Sequence, residues 1–129
     1  MEGISEYTIK LTFEGQSSIV IPLRRSYIPF TSKRLLDSLP IRGRAIKRDG
    51  KLILTTPVKG KNEALQSSFK KYDLSLHGSS GSISLYLEDV SLPHKETYLG
   101  KVPDDQQKTL EELITHLGLT VDLLIEKVK

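Results

Sequence analysis

Polarity alternates with period two at the start of the chain. Tyr7, Ile9, Leu11 and Phe13 interleave with Thr8, Lys10 and Thr12, and after Glu14-Gly15-Gln16 the alternation resumes at Ile19, Ile21 and Leu23. Successive strand side chains face opposite sides of a sheet, so this spacing predicts a β-hairpin over residues 7–23 with one buried face. Pro22 has no amide to give to a ladder, which places it at an edge or a bulge. The period then changes. Leu35, Leu36 and Leu39 form one apolar face, Thr31 is a capping residue, Phe30 and Leu35 are spaced for a hydrophobic staple, and Pro40 is a stop. Together they predict a helix of about nine residues. Asp49-Gly50 is the dipeptide of a type I′ turn and predicts a hairpin pairing Arg48 with Lys51, Ile46 with Ile53 and Ala45 with Leu54. Gly43, inside the first of those strands, predicts a bulge or a close backbone approach.

Residues 56–68 hold Pro57, Gly60 and Asn62 and read as a long loop. Tyr72, Leu74 and Leu76, then Ile83, Leu85 and Leu87, predict a hairpin across the flexible turn Gly78-Ser79-Ser80-Gly81. A short strand, residues 98–102, follows Pro93. Asp104 with Gln107 three residues on predicts a capped helix start, and Leu110, Leu113, Ile114 and Leu117 give that helix its apolar face. Gly118 suits a left-handed C′ position. Leu119, Val121, Leu123 and Ile125 then return to period two and predict a final strand. About eight short strands must protect their edges, and closing into a barrel does so. A barrel of that size has room inside only for side chains, so a binding site is expected on the outside or at a rim. The expected fold is therefore mainly β with two helices, a closed, roughly eight-stranded barrel in one domain spanning residues 1–129.

Composition narrows the chemistry. There are no cysteines among the 129 residues. That removes disulfides, thiolate metal sites and a cysteine nucleophile, and makes the cytoplasm the expected location. The apolar runs are far shorter than the roughly 20 residues of a membrane helix, so no membrane association is expected. The segment Met1–Lys10 carries two acids and alternates in polarity, which is wrong for a signal peptide.

Charge is uneven. Residues 1–71 carry 14 Lys/Arg and 6 Asp/Glu, a net of +8, and residues 72–129 carry 5 and 10, a net of −5. Such asymmetry marks either an anionic partner or two halves that complement each other once folded. The cations nominated for ligand binding are Arg24 and Arg25, Lys33 and Arg34 near a helix N-terminus that itself attracts anions, and Arg42, Arg44 and Arg48, which share parity on one strand face with Ile46 among them. His77, at a hairpin tip, completes that set. Interleaved aromatics for stacking on a single strand of nucleic acid are missing from the basic stretch.

Catalytic motifs are absent. Ser79 and Ser80 match neither a phosphate loop nor a nucleophile elbow. The acid pairs Glu88–Asp89, Asp104–Asp105 and Glu111–Glu112 read as strand-end, capping and surface groups rather than buried acid/base pairs. His77, His94 and His116 are separated by 17 and 22 residues, so no local spacing joins them. The expectation is surface histidines with no metal site and no cofactor.

The order of elements resembles the cyclophilin-like β-barrel domain of small prokaryotic proteins of unassigned function. Ile21-Pro22-Leu23 resembles the end of that family's second strand. Leu39-Pro40-Ile41-Arg42-Gly43-Arg44-Ala45 resembles its Leu-Pro-x-x-Gly-x-Ala junction, and Asp49-Gly50-Lys51-Leu52-Ile53-Leu54 its following turn and strand. Tyr72-Asp73-Leu74-Ser75-Leu76 looks like its Gly-Asp-Ile strand, and Gly100-Lys101-Val102 like its Gly-x-Ile/Val strand. Two positions depart: Tyr72 stands where the family has Gly, and His77-Gly78-Ser79-Ser80-Gly81 replaces a Trp-Pro-Pro-Gly-like tip. The resemblance implies a barrel, and fold alone does not imply activity. The expected function is a non-enzymatic module that binds a protein, a peptide or a small ligand. Peptidyl-prolyl isomerisation, by analogy of fold, and nucleic-acid or other polyanion binding by the basic half are the alternatives.

Overall fold

A computed structural model describes residues 6–128. Residues 1–5, half of the segment judged unlike a signal peptide, lie outside the described residues. The chain is mainly β with two helices: β1 (Glu6–Phe13), β2 (Ser17–Arg24), α1 (Pro29–Ser38), β3 (Ile41–Arg48), β4 (Lys51–Thr55), β5 (Leu65–Phe69), β6 (Asp73–His77), β7 (Ser82–Tyr86), β8 (Val90–Lys101), α2 (Asp104–His116) and β9 (Thr120–Val128). Every strand pair is antiparallel, in the order β2-β1-β9-β3-β4-β7-β6-β8-β5. One further pairing, Leu23 with Gly100, joins β2 to β8, so the bonding runs in a ring with β5 attached outside it.

The alternation explains this order. Inward-facing Tyr7, Ile9, Leu11 and Phe13 meet Ile19, Ile21 and Leu23 from β2 and Val121, Leu123 and Ile125 from β9, all buried in one core. Leu52, Leu54, Leu74, Leu76, Ile83 and Leu85 extend that core through β4, β6 and β7. α1 adds Leu35, and α2 adds Leu110 and bonds the β2 amide of Val20 through Gln106 Oε1 at 3.0 Å. Ion pairs tie the two oppositely charged parts of the chain together: Lys10 to Glu126, Arg42 to Asp122 and Lys71 to Glu111. Among the described residues, no helix is long and apolar enough to cross a membrane.

The Asp49-Gly50 turn has both residues at positive φ, 54° and 75°, as a type I′ turn requires, and it pairs Arg48 with Lys51 and Ile46 with Ile53. Gly43 marks a close approach: a Cβ there would meet Leu54 Cδ1 at 2.9 Å.

Several expectations are corrected. Helix α1 begins at Pro29, whose fixed φ suits a first helical position, so Thr31 is a buried helical residue and not the cap. Phe30 points to solvent, 62% exposed, and forms no staple. Asp104 is the first residue of α2 rather than its cap, although Gln107 does bond its carboxylate at 3.2 Å. Gly118 has no positive φ; the chain leaves α2 through an extended Leu117 instead. The long loop of residues 56–68 ends in β5, whose polar Gln66-Ser67-Ser68 interior has no apolar period to announce it. The strand expected at 98–102 is longer, β8, and carries Pro93 within it. The addition of β5 raises the strand count to nine.

Candidate functional site

The outer face of the sheet holds a cleft of about 390 Å³. It runs across strand neighbours whose register puts alternate residues in rows. Ile46, Ile53, Ser84 and Ser75 make one row through β3, β4, β7 and β6, and Thr55, Ser82 and His77 make the next. Arg48, Lys51 and Tyr86 make a third. The side chains of Arg44, Arg48 and Lys51 therefore line one end, with the hydroxyls of Thr55, Ser80, Ser82 and Ser84 along the walls and His77 and Glu96 at the far side. Two side-chain interactions engage the arginines only weakly: Arg48 Nε lies 3.6 Å from exposed Asp49, and Arg44 reaches Thr120 Oγ1 at 3.4 Å. Lys51 Nζ sits 5.9 Å from the centre of the Tyr86 ring. Among the described residues, Glu96 is the sole carboxylate in the lining.

The far side is the more organised part. Between Gln66 and Ser68 of β5 the pairing on β8 moves from Glu96 to Ser91, so β8 carries surplus residues there and bulges. Pro93, which cannot serve a ladder, lies in the bulge. His94 follows it, and its Nε2 is 2.7 Å from Glu96 Oε2. Glu96 is buried, its side chain 7% exposed. Its other oxygen accepts from Ser75 Oγ at 2.8 Å, and Ser75, with its one proton so used, accepts from the Tyr86 hydroxyl at 3.0 Å. Burial, chiefly, pushes the Tyr86 hydroxyl up to about 12, so it stays protonated and remains the donor. Phe69 stacks on Tyr86 with ring centres 4.7 Å apart, and both rings are buried. His77 ends β6; its Nδ1 is 2.8 Å from Ser80 Oγ and its ring lies edge-on to that of His94, 5.2 Å between centres. One donor atom from each of His77, His94 and Glu96 lies within 4.8 Å of the others.

Of the nominated residues, the structure brings Arg44, Arg48 and His77 into one cleft. Arg42, Arg44, Ile46 and Arg48 are all exposed at alternate positions of β3, as their parity required. Arg42, however, pairs with Asp122 at 3.7 Å. Arg24 bonds Tyr27 and lies near Glu6, Arg25 lies over the Tyr7 ring, Lys33 pairs with Asp37 and Arg34 bonds the Lys59 carbonyl. The α1 N-terminus is already occupied: Glu63 accepts the amides of Phe30 at 3.1 Å and Thr31 at 2.8 Å, so the anion that terminus attracts is the protein's own carboxylate. His116 is exposed at the end of α2, far in sequence from the other two and outside their cluster.

Sequence reasoning missed Lys51, Ser75, Tyr86, His94 and Glu96. The spacing His94-x-Glu96 puts both side chains on one face of a strand and was the available signal. It was obscured because residues 90–97 were not read as strand.

No protein-family model matches the chain, and no curated protein does. Among solved structures it is similar to the solution structure of the hypothetical protein AF2241 from Archaeoglobus fulgidus, with a TM-score of 0.76 and 16% identity over 98% of both chains. At that identity the likeness extends to the fold alone.

Proposed function

We propose that the protein is a non-enzymatic, cytoplasmic binding module whose ligand is a small anion held in the outer cleft, on a closed cyclophilin-like barrel. The barrel reading draws support from the Leu23–Gly100 pairing, which returns the strand order to its start. The observation that carries the binding reading is the convergence of Arg44, Arg48 and Lys51 on a hydroxyl-lined cleft whose lining has one carboxylate. Guanidinium groups recognise phosphate or carboxylate through paired N–H donors, and hydroxyls add acceptor-tolerant contacts around them. A ligand class with two or three charged groups, such as a diphosphate or a short tricarboxylate, fits that spread of cations.

Calorimetric titration with inorganic phosphate, pyrophosphate and citrate tests this, with the triple variant Arg44→Gln/Arg48→Gln/Lys51→Gln as the comparison. The expected result is saturable binding of one polyvalent anion by the wild type, weakened at least tenfold in the variant. At a ligand concentration of about 100 times Kd the folded state gains about 2.7 kcal/mol, visible as a thermal shift. Equal responses from both proteins, or none from either, overturn it. Tighter binding of an oligonucleotide, with affinity falling as salt rises at a log-log slope of about −0.9 per phosphate neutralised, replaces the small ligand with a polyanion.

A further inference from the structure

Beyond the anion reading, and independent of it, we infer that His77, His94 and Glu96 form a binding site for a divalent transition-metal ion at the inner end of the cleft. Their donor atoms lie within 4.8 Å of one another. Ligands about 2.0–2.2 Å from one ion stand roughly 3–4 Å apart, so a small rotation of the His77 side chain closes the set. The His94–Glu96 pair is already at 2.7 Å, with a proton where the ion would sit.

Support around the donors separates this cluster from three polar residues that happen to meet. Glu96 is buried, and among the described residues the one basic side chain within ion-pair reach of it is His94. A buried carboxylate needs compensating charge, and a dication supplies it. Ser75 fixes the second oxygen of Glu96, and Tyr86 fixes Ser75, so the oxygen facing His94 is oriented from behind. His77 is held through Nδ1 by Ser80, which leaves Nε2 as its ligating nitrogen. Such outer partners set tautomer and aim in metal sites. Two imidazoles with one carboxylate and no thiolate select first-row ions such as Zn²⁺, Fe²⁺, Co²⁺ or Ni²⁺ over Mg²⁺ and Ca²⁺, which prefer all-oxygen shells. Three protein ligands leave coordination positions open, and two of the ligands, His77 and Glu96, also line the cleft.

The test uses the full chain and the metal alone, with no anionic ligand, so its outcome is separate from that of the anion titration. Co²⁺ and Zn²⁺ are titrated by absorption spectroscopy and calorimetry at pH 7.5, with Mg²⁺ and Ca²⁺ as comparisons and circular dichroism to confirm that each variant is folded. One Co²⁺ per chain is expected, with a d–d spectrum, displaceable by Zn²⁺, with affinity falling as pH drops from 7.5 to 5.5 because the ion must displace protons. His77→Ala and His94→Gln, both at partly exposed positions, are each expected to weaken binding at least tenfold, and Ser75→Ala to weaken it with the three ligands intact. Absence of binding below millimolar metal overturns the inference. So does binding that survives unchanged in both histidine variants, which would assign the ion to another residue such as His116. Equal binding of Mg²⁺ overturns the assignment to a transition ion.

Discussion

Gly100 is the place where the ring of strands stands or fails. It faces Leu23, the one residue through which β2 pairs with β8. A methyl group added there would lie 2.4 Å from Leu23 Cδ2 and 3.3 Å from the Pro22 carbonyl oxygen. Ordinary carbon contacts are about 3.5–4.0 Å, so the two sides of the seam must part by more than an ångström or Leu23 must leave its rotamer. Leu23 is fully buried and packed, which limits the second escape. Overpacking of this kind costs about 1–3 kcal/mol. For a chain of this size each kcal/mol moves Tm by about 3–5 °C, so Gly100→Ala is expected to melt roughly 3–15 °C below the wild type. Gly118→Ala is the control: a Cβ there meets nothing within 4 Å and its φ is not positive, so removing glycine's freedom from the unfolded chain is expected to stabilise by about 0.4–1 kcal/mol. A double-mutant cycle with Leu23→Ala locates the cause. Leu23→Ala alone costs about 2–5 kcal/mol. If the clash is real, Gly100→Ala is nearly free in that background, and the two losses fail to add. Should Gly100→Ala melt with Gly118→Ala, or its cost add in full to that of Leu23→Ala, β2 and β8 do not meet in solution and the sheet is open.

The remaining predictions concern buried and capping carboxylates. Partial burial raises the pKa of Glu63, but hydrogen bonds from Thr31 and Phe30 and the nearby Arg34 outweigh it and hold the carboxyl below its ordinary value. A depressed acid stabilises the fold above its unfolded pKa and loses that effect as pH falls through the folded one; Glu63→Gln is therefore expected to cost about 0.5–2 kcal/mol at pH 7 and almost nothing at pH 3, read by urea unfolding at both. Asp73 has the opposite sign: burial, against the Lys70 amide bond, raises its pKa. Its contribution is full below the unfolded pKa and is lost as pH rises through the folded one, so Asp73→Asn, which keeps an oxygen for the Lys70 amide, is expected to match or exceed wild-type stability at pH 7, and a clear loss there would contradict that assignment.

Legibility followed the number of covered faces. Strands β1, β2 and β9, each with one wet face, announced themselves by alternation, and the Asp49-Gly50 turn announced β3 and β4 and fixed a register that the structure reproduces at Arg48–Lys51 and Ile46–Ile53. β6 and β7 were found as a hairpin, yet Ser75 and Ser84, which read as solvent-facing, are buried. Ser75 serves a hydrogen-bonded network rather than water, and Ser84 lines the cleft. β5 was invisible because its only buried side chain is Phe69. Tyr72 holds a left-handed φ of 82°, and its hydroxyl bond to Glu111 at 2.6 Å ties that strained residue to α2.

The candidate metal centre was hidden for a different reason. An interval of 17 residues between His77 and His94 carries no information by itself, because antiparallel strands bring distant positions into one row and a bulge then shifts the row. β6 pairs with β8 so that Leu76 meets Thr97, which sets the next residue, His77, beside Glu96. Without the surplus residues that follow Ser91 on β8, Gln66–Glu96 and Ser68–Ser91 could not both be partners, and β5 would have to leave the sheet or the bulge would have to vanish. The irregularity around Pro93 hides the period of β8, and with it the His94-x-Glu96 spacing that sets both side chains on one face.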